Sequence, residues 1–248
     1  MLRFTNFLEE GVNDPSIFKA VFLAGGPGSG KSFMVGKTAL TSFGMKLINS
    51  DPAFEKQLAK AGLKTTPDDI FTDKGQAARS RATALTLKQM ELAVNGRLGL
   101  VIDGTGKDFN KISGQVGKLK QLGYDVAMIF VNTDLETAIN RDQKRARTLG
   151  AKQVTGMWKD VQKNIGKFQN LFGNMMVIVD NSDGSNYEGG AMSAYKKMKA
   201  WASKKPSSSV AKKWIANQMA MKTGTGRAKT SSIKRRGQRS ARTIPAPD

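Results

Sequence analysis

The stretch that decides the fold runs from residue 19 to residue 32 and reads Lys-Ala-Val-Phe-Leu-Ala-Gly-Gly-Pro-Gly-Ser-Gly-Lys-Ser. An apolar run at residues 20–24 comes directly before a Gly-x-x-x-x-Gly-Lys-Ser pattern. This order predicts a buried strand, a loop whose backbone N–H groups cradle phosphates, and a helix that begins where the loop ends. The alternative is a glycine-rich turn that matches by chance. The flanking strand and helix patterns favour a nucleoside triphosphate site.

Residues 25–32 are named the phosphate loop from here on. Its backbone is expected to contact the phosphates of ATP through Gly25, Gly26, Gly28, Ser29 and Gly30. The Lys31 side chain is expected to reach the β- and γ-phosphates and to assist catalysis. The Ser32 hydroxyl is expected to ligate Mg²⁺.

Composition excludes several kinds of chemistry. The 248 residues include no cysteine and no histidine. Disulfides, thiolate metal sites and imidazole acid–base catalysis are therefore excluded, and proton transfer falls to carboxylates, lysines or water. No apolar stretch has the length of a membrane span, and the N-terminus lacks the apolar core of a signal peptide. We expect a soluble, cytoplasmic protein without a membrane span.

Apolar runs alternate with amphipathic stretches after the phosphate loop. The runs predict strands at residues 20–24, 46–49, 98–103, 125–132 and 175–180. The stretches between them predict helices at residues 31–43, 52–61, 75–95, 109–122, 135–148 and near 157–172. This alternation is typical of an α/β, P-loop kinase-type three-layer fold with a five-stranded parallel sheet. We predict an N-terminal segment (1–17), a P-loop kinase domain (18–203) and a basic C-terminal extension (204–248), disordered in part.

Asp51 follows the second predicted strand. The carboxyl edge of a parallel sheet is where open α/β folds bind ligands, so this carboxylate is a candidate general base for a substrate hydroxyl. The alternative is an N-cap for the helix that Pro52 opens. Both roles are compatible.

Asp103 ends the third predicted strand and is followed by Gly104 and Thr105. An apolar run that closes on an aspartate is typical of a Walker B element, so Asp103 is a candidate for holding Mg²⁺ or contacting substrate. An aspartate at a strand end is also commonplace. The phosphate loop upstream favours the functional interpretation.

Three arginines, Arg141, Arg145 and Arg147, lie on or near the helix predicted after the fourth strand. Arg141 and Arg145 are four residues apart and therefore share one helix face, from which guanidinium groups can clamp phosphates. The alternative is an ordinary charged helix surface. The segment 148–155 is expected to be mobile and to close over ATP.

Together, the motifs at residues 25–32, 49–51, 101–105, 123–126 and 141–147 resemble the zeta-toxin and polynucleotide-kinase branch of P-loop kinases, over about residues 18–180. The resemblance implies that the phosphate loop holds ATP and that Asp51 is the base. It also implies that Arg141, Arg145 and Arg147 contact phosphates. Two departures leave the acceptor open. Only Lys56 stands where polynucleotide kinases have an arginine after the base, and an aspartate, Asp103, stands where zeta toxins commonly carry a glutamate.

The N-terminal residues 1–10 resemble the leader of internal head proteins of tailed phages. That likeness implies a phage-encoded protein of the host cytoplasm or virion. The alternative is an amphipathic helix that packs its apolar side chains on the domain.

The C-terminal extension is strongly basic. Residues 196–248 hold 15 of the 40 basic residues and one acidic residue. Such a segment predicts salt-sensitive binding of nucleic acid, with Trp201 and Trp214 available to stack on bases. The candidate contacts are Lys234, Arg235, Arg236, Arg239 and Arg242. A solubilising tail and a membrane-surface segment are the alternatives.

Three functions remain open on these observations. The first is an ATP-dependent kinase that phosphorylates a hydroxyl of a polynucleotide or nucleotide. The second is a zeta-toxin-like kinase of a nucleotide sugar. Such a kinase could have an antitoxin-like protein partner that restrains it. The third is a virion-associated protein that binds ATP and nucleic acid without turnover.

Overall fold

The computed structural model describes residues 12–38, 40–144 and 148–223. Within them, five parallel strands form one sheet in the order β2-β3-β1-β4-β5. Their bounds are β1 Lys19–Ala24, β2 Lys46–Ile48, β3 Leu100–Asp103, β4 Asp125–Asn132 and β5 Met176–Asp180. The predicted five-stranded parallel sheet and the P-loop kinase-like α/β fold are confirmed.

Helices cover both faces of this sheet. In chain order they are α1 Lys31–Thr38, α2 Asp51–Lys60, α3 Pro67–Ile70, α4 Asp73–Asn95, α5 Phe109–Gln121, α6 Leu135–Gln143, α7 Ala151–Gln162, α8 Ile165–Phe172, α9 Tyr187–Ala202 and α10 Ser209–Lys222. Within the described ranges, none of them combines the length and the apolar character that crossing a bilayer requires.

Each face of the sheet packs into its own apolar core. Side chains alternate along the central strand, so Phe22 lies in one core with Ile102, Phe130 and Phe168, whereas Val21 and Leu23 lie in the other. Helices α1 and α9 complete the second core through Met34 and Met198 among others. Because β1 is buried along its whole length, the phosphate loop that follows it starts from a rigid central strand.

The helices α2, α3 and α4 enclose a third, smaller apolar cluster. It consists of Phe54, Leu58, Ile70, Ala78 and Ala82, and it lies apart from the two cores on the sheet. These helices connect β2 to β3, so they stand at the carboxyl edge of the sheet next to the phosphate loop. The segment therefore folds around its own core beside the nucleotide loop.

One predicted long helix is two helices. The stretch predicted near residues 157–172 is divided at Lys163 and Asn164, between α7 and α8. Asn164 is buried, and its amide Nδ2 donates to the carbonyl oxygens of Gly106 (3.1 Å) and Lys107 (2.9 Å). These bonds tie the break to the loop after β3, so the break has a tertiary cause.

The C-terminal boundary also differs from the prediction. The extension was predicted to begin at residue 204, but α10 lies beyond that point and packs on the domain. Its Trp214 ring makes an edge contact with Phe18, with centroids 5.4 Å apart, and its Ala211 is fully buried. At the other end, Ser16 and Ile17 are buried although the prediction placed them outside the domain.

We expect Trp214→Ala to lower the free energy of unfolding by about 2–3 kcal/mol, because it removes a half-buried aromatic ring from the face of Phe18. Urea unfolding measures this change. The control is Met221→Ala on the same helix, whose side chain is 64% exposed and whose loss should change stability by less than about 0.5 kcal/mol. Equal stabilities for the two variants would show that α10 does not belong to the folded unit.

Candidate active site

The phosphate loop has the backbone that its sequence predicts. Gly28 has a φ of +74°, in the left-handed region, and a Cβ placed there would lie 2.6 Å from the carbonyl oxygen of Ala138. A side chain at this position would therefore be both strained and obstructed. The loop passes directly into α1, so its N–H groups lie at the N-terminus of that helix, which is the positive end of the helix dipole. This is the geometry of an anion cradle.

The loop is braced from behind by the segment between β5 and α9. The Asn181 amide Nδ2 donates to the carbonyl oxygen of Ser29 at 2.7 Å, and the Tyr187 hydroxyl donates to that of Gly30 at 3.4 Å. Both partners come from residues more than a hundred positions away in the chain. The cradle is thus held in shape by tertiary contacts as well as by its glycines.

A cleft of about 620 Å³ opens beside the phosphate loop. Gly26, Gly28, Gly30, Lys31 and Ser32 line one side of it. The Lys31 ammonium donates to the carbonyl oxygens of Gly25 (2.5 Å) and Gly26 (3.3 Å). The ammonium is therefore folded over the loop that it is predicted to serve, at the wall of the cleft.

Asp103 also lines the cleft, at the end of β3 and beside Leu23 of β1. One of its carboxylate oxygens, Oδ2, accepts from Asn49 Nδ2 at 3.0 Å, whereas the other, Oδ1, is buried without a hydrogen-bond partner among the described residues. Burial raises the pKa of Asp103; the Lys31 charge opposes this shift and the Asp51 charge adds to it. A cation placed next to Oδ1 would offset this desolvation. The position therefore suits a hard metal ion.

Asp51 stands at the mouth of the cleft. It is exposed and lies in the first turn of α2, and its backbone N–H donates to Asn49 Oδ1 at 2.8 Å. The N-cap of α2 is Ser50, so the predicted capping role for Asp51 is wrong by one residue. Its carboxylate is close enough to Asp103 to influence that group's pKa. Asp51, Lys31 and Asp103 thus converge on one space.

Arg141 lies beside the phosphate loop, where its guanidinium donates to the Gly28 carbonyl oxygen at 3.5 Å, and its contact with phosphates stays a prediction. Its guanidinium donates to the Asn181 carbonyl at 2.8 Å and pairs with Asp183 at 2.9 Å, and its side chain is not part of the cleft lining. It supports the back of the phosphate loop. Arg145 and Arg147 lie outside the described residues.

The segment 148–155 is better anchored than predicted. The N–H groups of Leu149 and Gly150 both donate to Oδ2 of the buried Asp142, at 2.8 and 3.0 Å, and residues from Ala151 onward belong to α7. Leu149 and Met157 line the cleft. The segment therefore forms a wall of the cleft and is helical from Ala151 onward, and its closure over ATP stays a prediction.

The sequence analysis missed Arg79. This arginine on α4 lines the cleft, and its guanidinium carbon lies 4.5 Å from the centroid of the Phe54 ring. It makes no ion pair with any residue that the structure describes. Gln76 lines the cleft from the same helix, one turn earlier. The three-residue spacing of two polar side chains on one face of α4 was the signal available in the sequence.

The predicted nucleic-acid contacts of the tail, Lys234, Arg235, Arg236, Arg239 and Arg242, lie outside the described residues. The same holds for the N-terminal residues 1–10, on which a phage origin was inferred. Of the two tryptophans, Trp214 packs on Phe18, and the Trp201 ring lies 5.0 Å from the Lys19 ammonium. Trp214 is half-buried by this contact, and its stacking on a base stays a prediction.

A family model described as an AAA domain matches residues 21–165 of the chain. The match begins in β1 and runs to the start of α8, so it contains the phosphate loop, Asp51, Arg79 and Asp103. No curated protein matches the sequence significantly.

Solved structures with the same fold include a protein of the PezAT chromosomal toxin-antitoxin system of Streptococcus pneumoniae. It is 14% identical with a TM-score of 0.50, and the match covers 78% of this chain and 88% of that one. A chain of the Pnkp1/Rnl/Hen1 RNA repair complex is 18% identical (TM-score 0.48; 60% of this chain and 46% of that one), so this chain spans less than half of it. A gluconokinase from Sinorhizobium meliloti 1021 is 14% identical (TM-score 0.45; 74% and 95%). At these identities the likeness concerns the fold.

Proposed function

Because the chain belongs to the AAA-domain family, in its P-loop kinase-like form, we propose that it is an ATP-dependent kinase that transfers the γ-phosphate to a hydroxyl of a polynucleotide or nucleotide. One observation carries the proposal. Lys31, Asp51 and Asp103 converge on a single cleft beside a phosphate loop. Phosphoryl transfer needs little more from a protein than positioning and charge, and this cleft offers both.

On the donor side, the phosphate loop binds the triphosphate and Lys31 provides the positive charge. The ammonium leaves the loop carbonyls and moves to the β- and γ-phosphate oxygens when these enter the cradle. Ser32 and Asp103 would hold Mg²⁺, since both line the cleft and Asp103 presents a buried oxygen that has no hydrogen-bond partner among the residues described. When bound, the ion would neutralise charge on the β- and γ-phosphates.

On the acceptor side, Asp51 orients the attacking hydroxyl and takes its proton. The hydroxyl oxygen forms a bond to the γ-phosphorus, the bond from that phosphorus to the bridging oxygen breaks, and ADP leaves. The proton passes to the Asp51 carboxylate. Its exposed place at the mouth of the cleft admits a large acceptor.

Arg79 supports an acceptor that carries a phosphate of its own. It is a cation in the cleft without an acidic partner among the described residues, and a guanidinium binds phosphate oxygens bidentately. A 5′-hydroxyl nucleotide has such a phosphate on its 3′ side. The same arginine suits the diphosphate of a nucleotide sugar, which is the second candidate acceptor.

We expect Arg79→Gln to raise the KM for the acceptor about 10- to 100-fold, because a charge-assisted bond to phosphate contributes roughly 1.5–3 kcal/mol. The KM for ATP should stay unchanged. Steady-state kinetics with each substrate varied in turn measures both values. Arg81→Gln is the matched control, since Arg81 is exposed on the same helix and does not line the cleft. If both variants shift the acceptor KM equally, Arg79 does not bind the acceptor.

The experiment that tests the function is transfer of labelled γ-phosphate from ATP to 5′-hydroxyl oligonucleotides, nucleosides and nucleotide sugars. Label on the oligonucleotide supports a polynucleotide kinase. Label on a nucleotide sugar alone identifies the zeta-toxin-like alternative, and its absence from every acceptor identifies a protein that binds ATP without turnover. We further propose that the tail residues 224–248 bring the enzyme to nucleic acid.

A further inference from the structure

A second cavity lies at the edge of the sheet opposite the active-site cleft. It has a volume of about 520 Å³, within the range of roughly 300–1,000 Å³ that is typical of ligand pockets. Strands β1 and β4 begin at its floor with Lys19 and Asp125, and residues 204–208 before α10 form part of its rim. We name it the basic cavity. Nothing in the kinase chemistry proposed above uses it.

The floor of the basic cavity is an ion pair whose positive and negative charges cancel. Lys19 is 2% exposed, and its ammonium donates to Asp125 Oδ2 at 2.7 Å. The backbone N–H of Ser207 donates to the same carboxylate at 3.0 Å, and the Ser207 hydroxyl donates to its other oxygen. Burial raises the pKa of Asp125, but these hydrogen bonds outweigh burial and the net shift is downward. Asp125 therefore stays ionised and cancels the charge of Lys19.

Three further lysines around the basic cavity carry charges that no acidic side chain of the described residues pairs with. Lys120, Lys204 and Lys205 are exposed at its wall, and none forms an ion pair or a side-chain hydrogen bond with a residue that the structure describes. Asp125 is the one acidic side chain in the lining, and Lys19 already pairs with it. The cavity thus presents to a ligand three positive charges that have no acidic partner among the described residues.

Two other groups in the lining suit a nucleotide. The Trp201 indole is half-buried at the wall, next to the Lys19 ammonium, and offers an aromatic surface to a base. Helix α10 begins at the rim, with Ser208 as N-cap, so the positive end of its dipole faces the cavity. Cations, a helix N-terminus and an aromatic ring line one space.

We propose that the basic cavity binds a single-stranded polynucleotide, through its phosphates at Lys120, Lys204 and Lys205 and through a base at Trp201. The surface around it favours a chain over a small anion, because residues 196–222 contain eight lysines and no acidic residue. A polyanion with regularly spaced phosphates matches charge that extends beyond one cavity. The site is separate from the active-site cleft. The proposal that it binds a polynucleotide therefore does not depend on the acceptor's being a nucleic acid.

The test is binding of a fluorescent single-stranded oligonucleotide to the full-length protein across a salt series. We expect the triple variant Lys120→Gln, Lys204→Gln, Lys205→Gln to bind on the order of 100-fold more weakly at about 0.1 M salt. The slope of log affinity against log salt should fall by about 2, since each phosphate contact to a single strand contributes about 0.7. The matched control is Lys88→Gln, Lys118→Gln, Lys152→Gln, which removes equal charge from exposed positions elsewhere.

Equal losses in the two triple variants would overturn the proposal, because they would show a general charge effect. A loss of stability in the first variant without a loss of affinity would also overturn it, since the lysines would then only complement the nearby C-terminal ends of α5 and α9. A mononucleotide that binds as tightly as the oligonucleotide, or an acidic peptide that does so, would reject the polynucleotide as ligand.

A second measurement uses the unaltered protein. Lysine acetylation followed by mass spectrometry should show Lys120, Lys204 and Lys205 protected by the oligonucleotide, with Lys88, Lys118 and Lys152 unprotected. Protection of neither set would contradict the proposal even if the triple variant failed to fold. Phosphoryl transfer to a mononucleoside should be the same in the triple variant and the parent, which separates this site from the proposed activity.

Discussion

The Lys31→Ala variant is expected to lose ATP-dependent phosphoryl transfer by on the order of 10³-fold in kcat/KM. Its ammonium stands over the phosphate loop, 2.5 Å from the Gly25 carbonyl oxygen, and it is close enough to Asp103 to oppose the rise that burial causes in the pKa of that carboxyl. Without it, charge that develops on the transferred phosphate has no protein cation in the loop to stabilise it. The backbone of the cradle should survive, since Asn181 and the glycines hold it.

Single-turnover transfer of labelled phosphate measures this loss, with urea unfolding as the check on folding. Lys60→Ala is the matched control, because Lys60 is exposed at the end of α2 and does not line the cleft. If the Lys31→Ala variant kept the activity of the parent protein, the phosphate loop would not be part of the catalytic site.

The Asp51→Asn variant is expected to lower kcat by about 10²- to 10⁴-fold with little change in the KM for ATP. Asparagine keeps the shape of the side chain and its place in the first turn of α2, but it cannot accept the proton of the hydroxyl. The loss should therefore fall on the chemical step. Asp68→Asn, at an exposed position on the nearby helix α3, should leave kcat unchanged.

Steady-state and single-turnover rates distinguish this role from a structural one. A fall in kcat that comes with an equal rise in the KM for ATP would mean that Asp51 shapes the nucleotide site. Full activity of the variant would show that the proton leaves by another path, through water or the phosphate itself.

The central strands β1, β3 and β4 were predictable because burial on both faces makes them continuous apolar runs. Residues 125–132 were predicted as a strand, and β4 has those bounds. The order of the strands in the sheet could not be predicted from the sequence. Placing β1 between β3 and β4 depends on packing of helices on both faces, which no local pattern encodes. The division between α7 and α8 was missed for the same reason, since Asn164 is held by carbonyl groups after β3.

In the candidate site, too, the residues of local motifs could be predicted and those placed by tertiary packing could not. The phosphate loop and Asp103 follow directly from motifs, because strand, turn and helix are consecutive in the chain. Arg79 could not be placed, because its approach to the cleft depends on how α4 packs against Phe54. The partners of Arg141 could not be predicted for a related reason: helical spacing gives a face but not the residues that face contacts, which include Gly28 and Asp183.

The separate apolar cluster of α2, α3 and α4 has a consequence for the proposed kinase. Arg79 and Gln76 stand on helices whose core is Phe54, Leu58, Ile70, Ala78 and Ala82, and none of these residues belongs to the cores on the sheet. Substitutions there can remodel recognition of the recipient molecule while the strands and the ATP cradle keep their packing. For the proposed kinase, the groups that hold the donor thus rest on the sheet, whereas those assigned to the recipient rest on the separately packed segment between β2 and β3.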